Sequence, residues 1–404
     1  MEVRKPLEGI RVIEFANFVA APSAGRMLID WGAEVIRVES FAGDTWRVYG
    51  ANCNVPVTDQ ENPLFDIYNV NKKGIQVNTK TEEGKQVLLR LLETADVFVT
   101  NNRQKALVKA GLDYDSLKER YPRLIYALVT GYGQKGPDVD VPGYDGVAFF
   151  SRSGLLADMA EPGGYPATAP GCMGDCATGA VLFGAVCAAL LGRERTGKGD
   201  MVEVSLFGNA TWLCSAMSTF TQYGYEYPKK RETMSALYTF YRCKDGEWIQ
   251  LAIAEGNRYW RPLAAALNIP EAAEDPRFAD TRLISKNRAA LIPILEEAFL
   301  KFDSEEISER LRNADIVFDR MRHYRELAYD PQNVANQYVR EVVYESGKHY
   351  MMPMTPIRSR NLGEMPIGRG PLMGEHTDQV LTEAGYTAEE IAALKSAGAV
   401  RQHD

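Results

Sequence analysis

Short apolar runs and amphipathic segments alternate along the first half of the chain. Runs rich in β-branched residues at 11–15 and 34–38 flank a segment at 22–31 in which apolar residues recur at helical spacing. The pattern then repeats, with predicted strands at 75–77, 96–99 and 124–130 and predicted helices at 82–95 and 107–118. Strands separated by helices of this length predict a parallel sheet with crossover helices, and therefore an α/β fold.

The texture of the sequence changes twice after this region. Gly, Pro and Asp dominate residues 137–174 without regular periodicity, which is typical of a functional loop or a partner contact. An apolar, Ala/Gly-rich segment at 176–192 then predicts a buried helix, and residues 201–206 predict another strand. Beyond Tyr223 the pattern predicts a smaller α+β module.

Composition and charge exclude several classes of protein. Hydrophobic residues make up 45% and charged residues 25% of the 404 positions, which is ordinary for a globular protein and excludes disordered, collagen-like and disulfide-scaffold chains. The 46 basic and 54 acidic side chains give a net charge of −8, which argues against a broad nucleic-acid surface. The six cysteines of a chain this long indicate reduced thiols.

Membrane and targeting segments are not evident in the sequence. The longest apolar run, at 180–191, is interrupted by Gly184 and is shorter than the roughly 18–20 residues that a membrane span needs. The N-terminal segment MEVRKPLEGIRVIEF has neither the apolar region nor the small-residue cleavage site of a signal peptide. We therefore expect a cytoplasmic protein with no membrane and no nucleic-acid partner.

Residues 131–136 match the GxGxxG spacing of a dinucleotide-binding loop and follow a predicted strand. That motif needs a helix that begins directly, because the pyrophosphate rests on the helix N-terminus. Here Pro137 and Pro142 bracket the next residues, which cannot begin a helix cleanly. We favour the alternative of a tight turn, in which glycine supplies a positive φ or permits close backbone approach.

The step Gly174-Asp175 stands where the irregular loop meets the apolar helix. One interpretation is a helix cap, because a carboxylate in the first turn is favoured by the free N–H groups and the helix dipole. The other is a nucleophile, since an Asp ionised near pH 7 needs no base and the same helix N-terminus can stabilise an oxyanion. Gly174, which removes bulk beside the acid, is compatible with the second interpretation.

Basic residues cluster in two stretches close to predicted strand ends. The clusters comprise Lys72, Lys73 and Lys80, and Arg103, Lys105 and Lys109. Because α/β sheets bind ligands at strand ends, these residues are candidates for binding a phosphorylated ligand, although solvated surface lysines give the same pattern. The four histidines, from His323 onward, have no metal-ligand spacing, and we expect no metal site.

Several longer blocks of sequence occur in the order of one enzyme family. They are PLEGIRVIEF, GAEVIRVES, NKKGIQVNTKTEEGK, ADVFVTNNR, LIYALVTGYGQKGP, PGYD, the GD step, RTGKGDMVEVSL and LMGEHTDQVL. On these blocks the chain resembles the class III (formyl-CoA transferase-like) CoA-transferases over nearly its whole length. Within that family it is most similar to the isocaprenoyl-CoA:2-hydroxyisocaproate and cinnamoyl-CoA:phenyllactate CoA-transferases of amino-acid-fermenting anaerobes.

The resemblance implies that Asp175 is a nucleophile. Its carboxylate would attack an acyl-CoA thioester to give a mixed anhydride and CoA thiolate, and the thiolate would return to form an aspartyl-CoA thioester. A 2-hydroxy acid would then attack this thioester and finally take the CoA. The resemblance also implies that Asp145, in PGYD, assists near the nucleophile together with Gly174.

Coenzyme A is implied as a co-substrate, with no tightly bound cofactor. The positions that match the family's coenzyme contacts are Val19, Ala20, Val77, Asn78, Thr79, Lys80, Asn101, Asn102, Arg103 and Lys109. Two departures from the family pattern stand out. Ser40 occupies the position of an arginine in formyl-CoA transferase, and residues 252–260 lack the glycine-rich loop that shields intermediates in that enzyme.

Two alternative functions are compatible with parts of the sequence. The α-methylacyl-CoA racemases of the same superfamily need a His-Asp pair for proton transfer, but Tyr144 stands at the position of their histidine. A non-catalytic acyl-CoA-binding subunit would not require the nucleophile Asp175. Aromatic residues that are candidates for an acyl pocket, and equally for the core, are Trp46, Tyr49, Phe149 and Phe150.

The resemblance also carries an expected architecture. We expect a Rossmann-like large α/β domain over residues 1–220 that binds CoA, a small α+β domain over 225–330, and a C-terminal segment at 331–404 that returns to the large domain. Members of the family are interlocked homodimers, and we expect the same of this chain.

Overall fold

The structure, a computed structural model, describes residues 5–360 and 362–403. These residues form two compact units. The first contains the described residues up to Leu156, Thr168–Phe220 and those from Ala328 onward, and the second contains Ala157–Ala167 and Thr221–Leu327. The chain therefore leaves the first unit and later returns to it.

A sheet of mostly parallel strands forms the centre of the first unit. Six strands, in chain order, are β1 (Arg11–Phe15), β2 (Glu34–Glu39), β3 (Lys73–Val77), β4 (Val97–Thr100), β5 (Ile125–Thr130) and β6 (Met201–Ser205). They lie in the order β3-β2-β1-β4-β5-β6 and all pairs are parallel. The predicted α/β fold with a parallel sheet is confirmed.

Helices cover both faces of this sheet. Those before the long loop are α1 (Ala20–Asp30), α2 (Trp46–Asn52), α3 (Pro63–Asn69), α4 (Glu82–Leu92), α5 (Gln104–Ala110) and α6 (Tyr114–Leu117). Successive β1 residues enter different cores, because side chains alternate along a strand: Val12 packs with α1 and Ile13 with α4. Such two-sided burial is the ordinary state of a parallel sheet.

The single helix predicted at 107–118 is wrong. Helix α5 ends at Gly111, which adopts a left-handed φ of 65°. Helix α6 begins after Asp113, whose carboxylate accepts a hydrogen bond from Ser116 N at 3.3 Å. A left-handed glycine and an Asp cap are common ends of helices, so the break follows from local residue chemistry.

The segment at 137–174 contains more regular structure than its sequence suggests. A π-helix spans Asp145–Ser151, and a short helix, α7, spans Leu155–Asp158. Inside the π-helix, Phe149 and Phe150 are 2% and 3% exposed and pack into a small core of their own. Those aromatic side chains hold an otherwise Gly- and Pro-rich segment against the fold.

Helix α8 (Met173–Thr196) is longer than predicted and is buried on one face only. That face packs on α1, and Gly179 permits the close approach because a Cβ there would lie 1.9 Å from Ser23 Oγ. Val181 and Leu191, by contrast, are 45% and 57% exposed. Among the described residues, α8 is one helix long and apolar enough to cross a membrane, but core helices of soluble proteins meet the same criterion.

The second unit has its own sheet and core. Its strands are β7 (Phe240–Arg242), β8 (Trp248–Leu251) and β9 (Phe318–Arg320), all antiparallel. Two helices follow β6: α9 (Leu206–Leu213) in the first unit, and α10 (Ser215–Gln222), whose last two residues belong to the second unit. The second unit then contains α11 (Gly256–Ala266), α12 (Pro270–Glu274), α13 (Thr281–Lys286), α14 (Arg288–Phe299), α15 (Ser304–Asn313) and α16 (Tyr324–Leu327).

The C-terminal segment completes the first unit. Its elements are α17 (Pro331–Ala335), the hairpin β10 (Val339–Val343) and β11 (His349–Pro353), α18 (Thr377–Glu383), α19 (Ala388–Ser396) and β12 (Val400–Arg401). Strand β12 pairs antiparallel with β3 at the edge of the large sheet, with Val400 opposite Val77. Tyr344 anchors the segment by donating its hydroxyl to Asp66 of α3.

Candidate active site

Two carboxyl groups lie close together at the start of α8. Asp175 is the third residue of this helix, which begins after Cys172, a non-glycine residue with a left-handed φ of 64°. Asp145 is the first residue of the π-helix. Left-handed backbone is unfavourable for a residue with a side chain, and strain of this kind is concentrated at functional sites.

Gly174 permits the approach of Asp145 to the helix. A Cβ at position 174 would lie 2.2 Å from Asp145 Oδ1 and 2.3 Å from the ring of Phe149. Both distances are far shorter than any contact between non-bonded atoms. Any larger residue at 174 would therefore displace Asp145 or Phe149.

Both carboxyl groups hold a proton more tightly than usual. Burial, and after it the neighbouring Asp145, raises the pKa of Asp175 to about 7. Burial also raises the pKa of Asp145, although the backbone N–H groups of Asp175, Cys172 and Gly174 favour its ionised form. Asp145 Oδ1 itself is buried without a partner that meets hydrogen-bond geometry. In the described parts of the chain neither carboxyl pairs with a Lys or Arg side chain.

A groove of about 480 Å³ opens beside Asp175. Residues that follow β1, β4 and β5 line it, among them Phe18, Arg103 and Tyr144. Strands β2 and β3 lie on one side of β1, and β4 lies on the other. All these strands are parallel, but the side of the sheet to which successive strands are added changes between β1 and β4. Open α/β sheets bind ligands at the carboxyl ends of strands where this change occurs. Asp175 therefore lies at the edge of the sheet where this fold binds ligands.

Two asparagines shape one wall of the groove. Asn101 Oδ1 accepts a hydrogen bond from Asn17 N at 3.0 Å, and Asn101 Nδ2 donates to Asn17 O at 2.7 Å. Asn102 Nδ2 donates to Phe15 O at 2.8 Å. The side-chain amides of this predicted binding stretch therefore fix the turn that follows β1.

The structure brings part of the predicted coenzyme-binding set to the groove. Ala20, Asn101, Asn102 and Arg103 line it together with Asp175. The predicted residues outside its lining are Val19, Val77, Asn78, Thr79, Lys80 and Lys109. Of these, Val19 and Val77 are fully buried, Lys80 is exposed after β3, and Lys109 is exposed in the last turn of α5, whose first residues line the groove.

Two of the basic residues singled out in the sequence are already paired. Lys72 is buried, and its Nζ donates to Glu14 Oε2 at 2.7 Å. Lys73 Nζ lies 2.6 Å from Glu34 Oε1 and 2.8 Å from Glu383 Oε2. The interpretation as phosphate ligands fails for Lys72 and Lys73, because acids within the fold neutralise their charges. Lys105, at the groove, pairs with Asp140 at 2.7 Å.

A set of buried charges lies next to the groove wall and was not evident from the sequence; we call it the buried charge network. Its members are three acids and three bases: Glu14, Glu39, Asp44, Arg37, Arg47 and Lys72. Arg37 Nη1 lies 2.7 Å from Glu14 Oε1, and Arg47 Nη2 lies 2.6 Å from Glu39 Oε2. The available signal was a charged residue inside an apolar strand, as in RVIEF and EVIRVE.

Aromatic and thiol side chains form an apolar cluster near the carboxyl pair. Trp46 stacks on Tyr49 with ring centroids 4.7 Å apart and contacts Tyr68 at 6.3 Å. Cys172 and Cys176 pack into the same cluster, and Cys176 Sγ donates to Tyr68 Oη at 3.5 Å. Of the four aromatic candidates for an acyl pocket, Trp46 is buried in this cluster with Tyr49 stacked on it, whereas Phe149 and Phe150 are buried in a separate core in which the Phe149 ring lies against Gly174.

The glycines at 131–136 serve a turn. Gly133 and Gly136 adopt φ values of 96° and 97°, and no helix forms between Gly136 and Asp145. Gly131 packs on Gly143, where a Cβ on either residue would lie 2.9 Å from the Cα of the other. The predicted turn is confirmed, and the dinucleotide-binding motif is excluded.

Histidine and metal chemistry find no support in the described residues. The groove lining contains Tyr144 and no histidine. Within residues 5–360 and 362–403, no group of three or more His, Cys, Asp or Glu side chains is arranged to hold a metal ion.

Comparison with known proteins identifies the family. The model of CoA-transferase family III matches residues 7–377. The chain belongs to this family. It is 40% identical to (R)-2-hydroxy-4-methylpentanoate CoA-transferase of Clostridioides difficile, over 98% of this chain and 99% of that protein. It is 37% identical to cinnamoyl-CoA:phenyllactate CoA-transferase of Clostridium sporogenes, over 96% of this chain and 95% of that protein.

Solved structures show the same architecture. The family III CoA-transferase described here matches the crystal structure of Rv3272 from M. tuberculosis with a TM-score of 0.81 at 32% identity, over 93% of this chain and 98% of that one. It matches a CAIB/BAIF family protein from Brucella suis with a TM-score of 0.81 at 29% identity, over 94% and 100% of the two chains. The family and the enzyme class inferred from the sequence blocks are confirmed.

Proposed function

We propose that this family III CoA-transferase moves CoA between an acyl- or enoyl-CoA and a 2-hydroxy carboxylic acid, with Asp175 as the nucleophile. The observation that carries the proposal is a carboxyl of raised pKa at the start of α8, opening into a groove at the ligand-binding edge of the sheet. The class of acid is supported by two relatives whose names specify (R)-2-hydroxy-4-methylpentanoate and phenyllactate.

The proposed reaction begins at the thioester. An Asp175 carboxylate oxygen bonds to the thioester carbonyl carbon, the C–S bond breaks, and CoA leaves as the thiolate. The thiolate then attacks the Asp175 carbonyl carbon of the mixed anhydride, which forms an aspartyl-CoA thioester and releases the first acid. These covalent steps replace a direct displacement between two anions.

The second half of the reaction repeats this chemistry with the acceptor. The carboxylate of the 2-hydroxy acid attacks the aspartyl-CoA thioester, which forms a second anhydride and releases the thiolate again. The thiolate attacks the carbonyl carbon of the 2-hydroxy acid, and Asp175 leaves as a free carboxylate. Atoms and charge balance over the cycle without a metal or a further cofactor.

The start of α8 supplies the electrostatics of these steps. Backbone N–H groups of Cys172, Gly174 and Asp175 face the Asp145 carboxylate and favour negative charge at the start of the helix, so this helix end also favours the oxyanion that develops at the Asp175 carbonyl. Asp145 assists through its charge. Backbone N–H groups favour its ionised form, and after burial it is the second cause of the raised pKa of Asp175, so the ionised Asp175 is a stronger base and nucleophile. Gly174 assists by allowing Asp145 its position.

Coenzyme A is proposed as the co-substrate that occupies the groove. Arg103 and Lys105 add positive charge at its wall. On binding, a phosphate of the coenzyme would replace Asp140 as the ion-pair partner of Lys105. We also propose that the nucleotide end of coenzyme A binds to the stretch Val77–Lys80 and to Lys109. The proposed domains are a CoA-binding domain at 1–220, a small domain at 225–330 and a C-terminal segment at 331–404 that returns to the large domain.

A second copy of the chain is the proposed partner, in an interlocked homodimer. Large apolar side chains of the first unit support a protein partner, because Leu191, Trp212 and Leu213 are 57%, 73% and 58% exposed. We propose a cytoplasmic enzyme whose other partners are its small-molecule substrates, without membrane or nucleic acid. Light scattering after gel filtration tests the dimer, and a monomeric mass would contradict it.

Mass spectrometry of the products tests the proposed function. The purified protein is mixed with isocaproyl-CoA and (R)-2-hydroxyisocaproate. We expect 2-hydroxyisocaproyl-CoA and free isocaproate in equal amounts. Unchanged CoA esters across a panel of hydroxy acids that includes phenyllactate and lactate would contradict the acid class. Hydrolysis to free CoA, with no new ester, would mean that Asp175 is acylated while the acceptor is of another class.

A further inference from the structure

We infer that Asp44 is a positioning residue, which holds the Phe18 turn in the conformation that forms one wall of the groove. The inference rests on the proposed function, because it gives this wall a role in binding the CoA ester. Asp44 is 2% exposed and lies in the loop between β2 and α2, outside the groove lining. We therefore infer that it acts on the substrate indirectly, through Phe18.

The Asp44 carboxylate joins three segments of the chain. It accepts the backbone N–H of Phe18, with distances of 3.1 and 3.0 Å to its two oxygens. It also accepts the backbone N–H of Trp46 at 2.9 Å, and Arg37 donates to it. One carboxylate thereby connects the turn after β1, the start of α2 and the middle of β2.

Phe18 needs such a restraint because its backbone is left-handed, with a φ of 60°. A residue with a Cβ disfavours this region, so the surrounding structure must hold it there. The Asn101 side chain makes two hydrogen bonds with the backbone of Asn17, the preceding residue, and Asp44 accepts the N–H of Phe18 itself. The ring of Phe18 then lines the groove and meets Tyr144 edge-on, with centroids 5.2 Å apart.

The buried charge network makes Asp44 a rigid support. Arg37 is held by Glu14 at 2.7 Å as well as by Asp44, and Asp44 N donates to Glu39 Oε1 at 3.0 Å. Glu39 in turn pairs with Arg47. Hydrogen bonds to charged groups with fully fixed partners hold a backbone more tightly than a bond to a mobile surface side chain.

Asp44→Asn tests the inference with a change of one charge and no change of size. The amide oxygen can still accept one N–H, but the amide nitrogen then faces either Arg37 or the second backbone N–H. We expect the Kd for coenzyme A and the KM for the CoA ester to rise about tenfold, since a hydrogen bond to a charged group is lost. We expect kcat to change less than about threefold, because Asp175 and Asp145 keep their places.

Asp30→Asn is the matched control. Asp30 is also a fully buried carboxylate paired with an arginine, with Arg26 Nε 3.0 Å from Oδ1, and it lies on α1 away from the groove lining. We expect this variant to lose stability while Kd and KM stay within about twofold of the wild type. Equal changes of Kd in both variants would overturn the inference, because they would show a general effect of removing a buried charge.

A second pair of variants keeps the inference testable if Asp44→Asn does not fold. Phe18→Gly and Phe18→Ala both remove the ring, but only alanine disfavours the left-handed backbone. With Asp44 holding the turn, we expect the two to bind coenzyme A with equal Kd within about twofold. A Kd about tenfold weaker for the alanine variant would overturn the inference. Absence of CoA transfer in the wild type would instead contradict the proposed function, which the binding measurements do not require.

Discussion

Two groups of acidic side chains in the first unit have opposite electrostatic surroundings. In the buried charge network three acids face three bases, and Arg37 alone contacts both Glu14 and Asp44. At the start of α8, Asp145 and Asp175 lie together with no basic partner in the described chain, and burial raises the pKa of each. Paired charges hold the backbone around them in one conformation. Carboxyls without a basic partner have a raised pKa, and they keep the basicity and nucleophilicity that a covalent reaction needs.

The two groups also differ in what holds the backbone beside them. The left-handed Phe18 is restrained because its N–H donates to the Asp44 carboxylate and because the Asn101 amide donates to the carbonyl of Asn17. The left-handed Cys172 is followed at once by α8, so the helix itself fixes its conformation. A polar scaffold thus forms the binding wall, while an apolar setting surrounds the reactive carboxyl.

Removal of the nucleophile has the largest expected effect on activity. For Asp175→Ala we expect CoA transfer to fall by about a thousandfold or more, because no covalent intermediate can form. Coenzyme A binding, measured by calorimetry, should stay within about threefold of the wild type, since the groove walls are intact. Asp115→Ala, which removes an exposed carboxylate paired with Lys118, is the control and should keep full activity. Full transfer activity in Asp175→Ala would contradict the covalent mechanism.

Breaking the matched charges has the largest expected effect on stability. Arg37→Met leaves Glu14 and Asp44 buried without their shared partner, and we expect the free energy of unfolding to drop by about 3–5 kcal/mol. Lys118→Met breaks the exposed pair with Asp115 and should cost less than about 1 kcal/mol. Urea unfolding followed by circular dichroism measures both. Equal losses would show that the network is no more important than a surface pair.

Displacing one member of the unmatched pair comes next in size. Gly174→Ala introduces a Cβ that overlaps Asp145 and Phe149, and we expect kcat to fall by about a hundredfold, as for other displaced catalytic groups. Gly184→Ala, on the same helix, places its Cβ in open space and should leave kcat unchanged, with a small gain in stability because alanine favours helices. Similar kcat values for the two variants would indicate that Asp145 has no part in the reaction.

The smallest expected effect is a shift of the pH profile. Asp175 must be ionised to attack, and its pKa is raised to about 7, so kcat/KM should fall as the pH drops through that value. Asp145→Asn removes the repulsion between the two carboxyls but leaves the burial. The acid limb of the profile should therefore move to lower pH. If the acid limb of the kcat/KM profile stays at the same pH or moves to higher pH in this variant, then the charge of Asp145 does not raise the pKa of Asp175.

The sequence predicted most of the large sheet and singled out Asp175, whose role as the nucleophile stays a prediction. Strand β5 is a continuous run of mostly apolar residues, and β1 has three apolar residues among its five, so the local pattern predicts both strands without the rest of the chain. Asp175 was found because loop composition changes abruptly into an apolar helix, although residue pattern alone could not separate a helix cap from a nucleophile. The resemblance to a family made that choice.

Pairwise charge contacts were beyond the reach of the sequence. Lys72 and Lys73 looked like solvent-facing partners for a phosphate, because the acids that neutralise them are distant in sequence, as Glu383 is from Lys73. The half-exposed face of α8 was missed for a related reason: an all-apolar helix predicts burial on every side, and Val181 shows that one side stays open. Both errors concern long-range packing that local periodicity does not encode.

The pairing of β12 with β3 has a consequence for how this protein is made in the cell. The ribosome synthesises β3 early, yet the neighbour of its edge is Val400–Arg401, which leaves the exit tunnel only after the whole second unit. Until then the nascent sheet presents an open strand to other chains, a known route to aggregation. A fragment that ends before Val400 would leave that edge uncovered. We expect chaperones and proteases to distinguish the finished enzyme from such fragments at this edge.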